Sequence, residues 1–261
     1  MPHDWKYALA SVTGTSHKKD SLPCQDACGC RVVCGPDGKS VLLAIASDGA
    51  GSAIRSEEGA RLTVNLFLDY AEEQCRTLGM AAFDRAFVDQ WILSVKEEIG
   101  RYATDLLCTS REFACTALGA MVGEDEAVFF QIGDGAIVIA EHGEADEYKP
   151  IFMPQHGKFA NTTNFIIQDD TPEILAFASM ATRYDEVAIF TDGIERLVLN
   201  IAEHTAHVPF FRPLFEWLAR TSEDSTQSAT VTRYLSSGAI CDRTDDDKTL
   251  ILATRRARSQ G

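Results

Sequence analysis

Apolar residues in this chain fall into short unbroken blocks and into longer stretches where they recur every three or four positions. The blocks, at residues 5–13, 27–34, 41–47, 113–122, 127–132, 136–140, 148–153, 175–181, 187–191 and 249–254, predict strands. Between residues 53 and 107 the spacing is helical. Leu62, Leu66 and Tyr70, then Phe83, Phe87, Trp91 and Val95, form stripes that belong in a core, with Gly79 separating two helices. Further helices are predicted over 194–203, 209–220 and 225–235. Residues 14–26 and 154–171 are polar and read as loops, the second rich in Asn and Gln. Strands in two batches around a helical pair predict an α+β sandwich. One domain over residues 1–261 is the simplest reading, with 255–261 as a flexible basic tail.

Composition narrows the function. Hydrophobic residues make up 45% and charged residues 24%, ordinary values for a globular protein. A net charge of −15 argues against a nucleic-acid surface, which needs Lys and Arg against phosphate. No signal pattern opens the chain, and no apolar run reaches the roughly 18 residues of a membrane span. A cytoplasmic protein with reduced cysteines is expected, with neither membrane nor nucleic acid as partner. Four of the eight Cys (Cys24, Cys28, Cys30 and Cys34) crowd together and raise zinc. They lack the CxxC knuckle, however, and on a strand Cys28, Cys30 and Cys34 share one face as small hydrophobes, which is the favoured reading.

The chemistry is carried by aspartates. Three apolar runs end on Asp-Gly, at Asp48-Gly49, Asp134-Gly135 and Asp192-Gly193. A fourth, Asp37-Gly38, lies in a short polar connection and reads as a hairpin turn only. Carboxylates at core-facing strand ends are costly unless compensated, and no Lys or Arg adjoins Asp48 or Asp192. Together with Asp26 and the run 245–247, an oxygen-only set of this kind suits Mg²⁺ or Mn²⁺. Taken singly, Asp192 also reads as a helix N-cap and Asp134 as a hairpin residue. An EF-hand is set aside for 242–250, which lacks the central Gly and the final Glu.

In order and separation, these motifs resemble those of the metal-dependent protein Ser/Thr phosphatases of type 2C, in a divergent bacterial-type branch. Gln25-Asp26 stands at the first acidic pair and Asp48-Gly49-Ala50-Gly51 at Asp-Gly-x-Gly. Phe113 to Gly119 stands at the Thr-Thr strand and Ile132 to Gly135 at the Gly-Asp hairpin. Phe190 to Ile194 stands at Thr-Asp-Gly-Ile, and Asp246-Asp247-Lys248-Thr249 at the terminal Asp motif.

The resemblance implies a four-layer α-β-β-α sandwich, two antiparallel β-sheets flanked by helices, with a site for two Mn²⁺ or Mg²⁺ ions. A third, weaker ion would belong to Asp134. Asp48 would bridge the pair with help from the Gly49 carbonyl, Asp192 and Asp246 would hold one ion, and Gln25 and Asp26 would complete the set. Asp48, Asp192 and Asp246 are thus the implied catalytic residues. The implied reaction is attack of a water bridging the two ions on a phosphoserine or phosphothreonine, without a covalent enzyme intermediate. A phosphorylated protein would be the substrate and a Ser/Thr kinase the functional opponent. Three positions depart from the family. Gln25 replaces a Glu, Ser21 stands where an Arg commonly grips phosphate, and Ala50 replaces a His of some eukaryotic members. His17 and Lys18 are the candidate phosphate-binding replacements. A phosphoprotein-binding pseudophosphatase and a small-molecule phosphohydrolase are the competing functions.

Overall fold

The computed structural model describes residues 5–144, 147–155, 163–221 and 226–256. Strand β1 (Lys6–Val12) leads through the short helix α1 (Thr15–Asp20) to the hairpin of β2 (Ala27–Cys34) and β3 (Ser40–Ser47). The long helices α2 (Ser56–Leu78) and α3 (Arg85–Asp105) come next, followed by β4 (Ala117–Val122), β5 (Ala127–Ile132), β6 (Ala136–Glu141) and the short β7 (Lys149–Pro150). Helix α4 (Thr171–Ile174) precedes β8 (Ala176–Met180), β9 (Tyr184–Phe190) and α5 (Asp192–Val198). The chain finishes with the small hairpin β10 (Leu199–Asn200) and β11 (Thr205–Ala206), helices α6 (Val208–Arg220), α7 (Thr226–Leu235) and α8 (Gly238–Cys241), and β12 (Lys248–Thr254).

Two five-stranded sheets form, in the orders β1-β12-β9-β6-β7 and β2-β3-β4-β5-β8, and every pairing is antiparallel. The unbroken apolar runs are explained by burial on both faces. Ala44, Leu118, Phe129, Ile137, Ile189 and Ile251 meet between the sheets. Leu43, Met121 and Phe130 turn outward onto α2 and α3, and Val138, Ala188 and Leu252 turn outward onto α5, α6 and α7. The layers are therefore α-β-β-α, as the resemblance implied. Phe67, Trp91 and Phe130 pack as an aromatic trio with ring centroids 5.1–5.4 Å apart, which pins the helical pair to its sheet.

Register places the carboxylates. Ala27 pairs with Ser47, so the start of β2 and the end of β3 lie side by side. Phe190 pairs with both Leu250 and Ala136, which aligns the end of β9 with the starts of β12 and β6. Asp26, Asp48, Asp134, Asp192 and Asp246 each flank one of these ends and are carried to one end of the sandwich.

Several boundaries differ from the sequence reading. The polar loop 14–26 contains α1, and the strand expected over 148–153 shrinks to β7. The strand expected from 113 starts at Ala117, because residues 110–113 form a 3-10 turn closed by a capping box between Thr109 and Glu112. The helix expected over 194–203 stops at Val198 and gives way to β10 and β11. The basic tail is anchored at its first residue: Arg255 donates to the carbonyls of Tyr184 and Gly123 at 2.7 and 2.9 Å and lies over the Trp5 ring. Arg256 pairs with Glu186 at 3.0 Å. Residues 257–261, and 156–162 of the Asn/Gln-rich loop, lie outside the described residues. No helix among the described residues is long and apolar enough to cross a membrane.

Candidate metal centre

Asp48, Asp134 and Asp192 converge. One carboxylate oxygen from each lies within 4.8 Å of the other two. Asp48 leaves β3 on a fixed backbone, since its N–H donates to Thr116 Oγ1 and its carbonyl accepts from Thr116 N, both at 2.8 Å. Gly49 continues in a single bridge to Cys115. A Cβ at Gly49 would meet the Gln25 carbonyl at 2.7 Å and the Ser56 Cβ at 2.8 Å, so only glycine lets these segments close. Gly193 has the same role after Asp192, where a Cβ would run into the Asp247 carbonyl. Asp134 Oδ2 accepts from Thr163 Oγ1 at 2.5 Å, which ties the triad to the far side of the 154–171 segment.

Asp26 lies beneath the triad, buried at the head of β2. Its Oδ2 accepts from Thr191 Oγ1 and Thr249 Oγ1, each at 2.8 Å, and Thr191 Oγ1 accepts in turn from Thr249 N at 3.0 Å. Its carboxyl also comes within hydrogen-bonding reach of Asp48. Asp246 is exposed on the turn before β12, where its Oδ1 accepts from Asp247 N at 2.8 Å and its charge bears on Asp192.

The crowding shifts Asp26, Asp48 and Asp192. Burial, partly offset by the two threonine hydroxyls, pushes the Asp26 carboxyl up to about 6. Burial, then the charges of Asp134, Asp246 and Asp26, push Asp192 up to about 7. Burial and the charges of Asp26, Asp192 and Asp134 drive Asp48 well above the carboxylate range. Asp26, Asp48 and Asp192 form no ion pair among the described residues. The Asp26 Oδ1 and Gln25 Oε1 atoms are buried and accept no N–H or hydroxyl hydrogen bond from the described residues. Orphaned oxygens beside converging carboxylates fit a hard divalent cation.

Asp247 stood in the sequence reading only as one member of the 245–247 run, and it organises the rim. Only 3% exposed, its Oδ1 accepts from Gly14 N and its Oδ2 from Gln25 N, both at 2.6 Å. His17 Nδ1 lies 3.0 Å from the same Oδ2, which leaves only Nε2 for a ligand, and Lys18 is exposed on α1. No sequence signal set it apart, since β12 is buried on both faces and alternation does not separate Asp247 from its neighbours. Thr116, Thr191 and Thr249 were missed as supports for the same reason. The four clustered cysteines form no metal-binding group among the described residues, and Cys30 is buried between the sheets. Cys28 packs against the same core, so the reading as small hydrophobes holds for these two, whereas Cys34 is exposed.

Comparison with known proteins agrees with this geometry. The family model described as Protein phosphatase 2C matches residues 13–236. Serine/threonine-protein phosphatase 3 of Escherichia coli (strain K12) is 36% identical over 252 residues, covering 95% of this chain and 98% of that protein. The fold is similar to the S. agalactiae serine/threonine phosphatase, with a TM-score of 0.60 at 16% identity over 96% of this chain and 99% of the other. It is also similar to RsbX, solved in complex with magnesium, with a TM-score of 0.55 at 12% identity over 96% and 94% of the two chains.

Proposed function

The chain belongs to the protein phosphatase 2C family and is a protein serine/threonine phosphatase, and from that premise we propose a metal-dependent reaction run by the carboxylate centre on phosphoserine and phosphothreonine in proteins. The convergence of Asp48, Asp134 and Asp192 within 4.8 Å carries the proposal, because acids so close need a cation to ionise together. Mn²⁺ or Mg²⁺, expected as a pair with a weaker third ion at Asp134, would supply charge to acidify a water and to stabilise the phosphoryl oxygens.

The protein's own residues set the stage for that charge. Asp48, Asp192 and Asp246 would hold the ions, with Asp26, Gln25 and the Gly49 carbonyl completing the set. Thr191 and Thr249 fix one oxygen of Asp26 and so aim the other. His17, steadied by Asp247 through Nδ1, presents Nε2 to a phosphate oxygen, with Lys18 adding long-range attraction. The magnesium complex of RsbX supports the choice of a hard divalent ion. A Ser/Thr kinase is the functional opponent, and the chain acts as a single cytoplasmic catalytic domain. The test is hydrolysis of a phosphothreonine peptide with Mn²⁺ and with chelator. Turnover that survives complete metal removal would refute the reading.

A further inference from the structure

Two glutamines grip the hairpin that carries Asp134. Gln131 interrupts the apolar run of β5 and is fully buried. It shares strand parity with Phe129, so its side chain faces between the sheets. Its Nε2 donates to the carbonyls of Gly133 and Gly135 at 3.1 and 3.0 Å, one on either side of Asp134. Gln155 holds Gly133 by both its polar groups. Its Oε1 accepts from Gly133 N at 3.0 Å, and its main-chain N–H donates to the Gly133 carbonyl at 3.1 Å. The Gln155 Nε2 then donates to the carbonyls of Gln131 at 3.3 Å and Ile174 at 2.8 Å, which joins the two glutamines to each other and to α4.

The hairpin needs such a hold. Asp134 brings a carboxylate oxygen within 4.8 Å of those of Asp48 and Asp192, and like charges at that range push it away from them. Its own turn offers little resistance, because it is short and bracketed by glycines. Gly133 stands at φ 122°, and a Cβ there would meet the Thr116 Cβ at 2.5 Å. The hairpin therefore packs directly on Thr116, the residue that fixes the backbone of Asp48. Bonds from Gln131 and Gln155 to Gly133 and Gly135 oppose the repulsion by clamping the backbone on both sides of Asp134.

We propose that Gln131 and Gln155 are positioning residues that hold the Asp134 carboxylate against Asp48 and Asp192, and so set the affinity of the centre for its divalent ions. The proposal rests on the metal-dependent reading above. Both glutamines act through Asp134, so their influence on metal binding vanishes once that carboxylate is gone. A glutamine that merely stabilised the fold would act equally with Asp134 present or absent.

The experiment compares wild type with Gln155→Met, Gln131→Met, Asp134→Asn and the double variant of Gln155→Met with Asp134→Asn. Methionine keeps the length of the side chain and removes its hydrogen bonds. Mn²⁺ is titrated by calorimetry and in phosphothreonine peptide turnover, and melting temperatures are read in EDTA. Gln155→Met is expected to weaken Mn²⁺ binding, and to raise the Mn²⁺ concentration for half-maximal turnover, by about tenfold. Gln131→Met is expected to act in the same direction. In the Asp134→Asn background, Gln155→Met is expected to change neither quantity by more than about twofold. An equal effect in both backgrounds overturns the proposal, as does unchanged Mn²⁺ binding in a variant of lower melting temperature. Should Gln131→Met fail to fold, the half-buried Gln155 decides alone. If wild type neither binds Mn²⁺ nor hydrolyses the peptide, it is the metal-dependent reading that has failed, and the same cycle in EDTA decides positioning. Asp134→Asn is then expected to raise the melting temperature of wild type by relieving repulsion and to leave that of Gln155→Met unchanged. Equal rises in both backgrounds, or no rise in wild type, overturn the clamp.

Discussion

The main-chain N–H of Gln25 donates to Oδ2 of Asp247 at 2.6 Å, joining positions 222 residues apart at the rim of the metal centre. The other oxygen of Asp247 takes Gly14 N at 2.6 Å, so one buried carboxylate fixes both flanks of the loop that delivers Gln25 and Asp26. Asp247→Ala strands two buried donors and frees His17. A loss of ~2–4 kcal/mol in chemical denaturation is expected, with weaker Mn²⁺ binding by calorimetry. Unchanged metal affinity in a destabilised variant would show that Asp247 serves the fold and not the site.

Asp48 faces Asp26, Asp134 and Asp192 together, so its removal acts oppositely with and without metal. Without metal, Asp48→Asn relieves like-charge repulsion and is expected to raise the melting temperature. With Mn²⁺ the gain disappears, since a ligand at ~100 times its Kd stabilises wild type by about 2.7 kcal/mol and the variant loses that binding. Phosphopeptide turnover is expected to fall at least ~10³-fold. Thermal melts with EDTA and with Mn²⁺ read both signs, and a lower melting temperature in EDTA would contradict the repulsion account.

The raised carboxyls give the metal-free protein an inverted pH profile. Asp26 and Asp192 titrate near 6 and 7 when folded, against an ordinary 3.8, so the folded state holds protons that the unfolded chain releases. Their stabilisation is complete below about pH 4 and is lost as pH rises through 6 and 7. Denaturation in EDTA is expected to lose on the order of 5 kcal/mol between pH 4 and 8 from these groups. Mn²⁺ affinity should climb over the same range as the acids ionise. Flat stability in EDTA across that window would rule out the shifts.

Much of this was legible in the chain because burial on both faces leaves a plain mark. β2 and β5 match their apolar blocks residue for residue, and Gly79 does divide the helices. The strand-end aspartates were visible because an acid after an apolar run stands out. What was hidden depends on partners remote in sequence. Asp247 looked like one more residue in an acidic run until β12 turned it inward onto Gly14 and Gln25. The threonines that aim Asp26 lie 165 and 223 residues away from it. Helix α1 escaped notice because its six residues bury nothing and so carry no apolar period.

Gln25 is one of the positions where this chain departs from the family pattern, and its environment gives that departure a direction. The Oε1 atom is buried and accepts no hydrogen bond from the described residues, while the backbone is already committed to Asp247. Gln25→Glu therefore changes charge without changing shape. In the metal-free protein it adds a further acid to a centre where Asp26, Asp48 and Asp192 already resist ionising, so stability in EDTA at pH 8 is expected to fall. With divalent ion present the new carboxylate supplies charge that the amide oxygen lacks, and Mn²⁺ is expected to bind about tenfold tighter, roughly 1.4 kcal/mol. Calorimetric titration of Mn²⁺ into both proteins measures that gain directly, separate from turnover. If Gln25→Glu binds Mn²⁺ no better than wild type while losing stability in EDTA, the side chain of residue 25 does not reach the metal, and its buried oxygen must be satisfied by water.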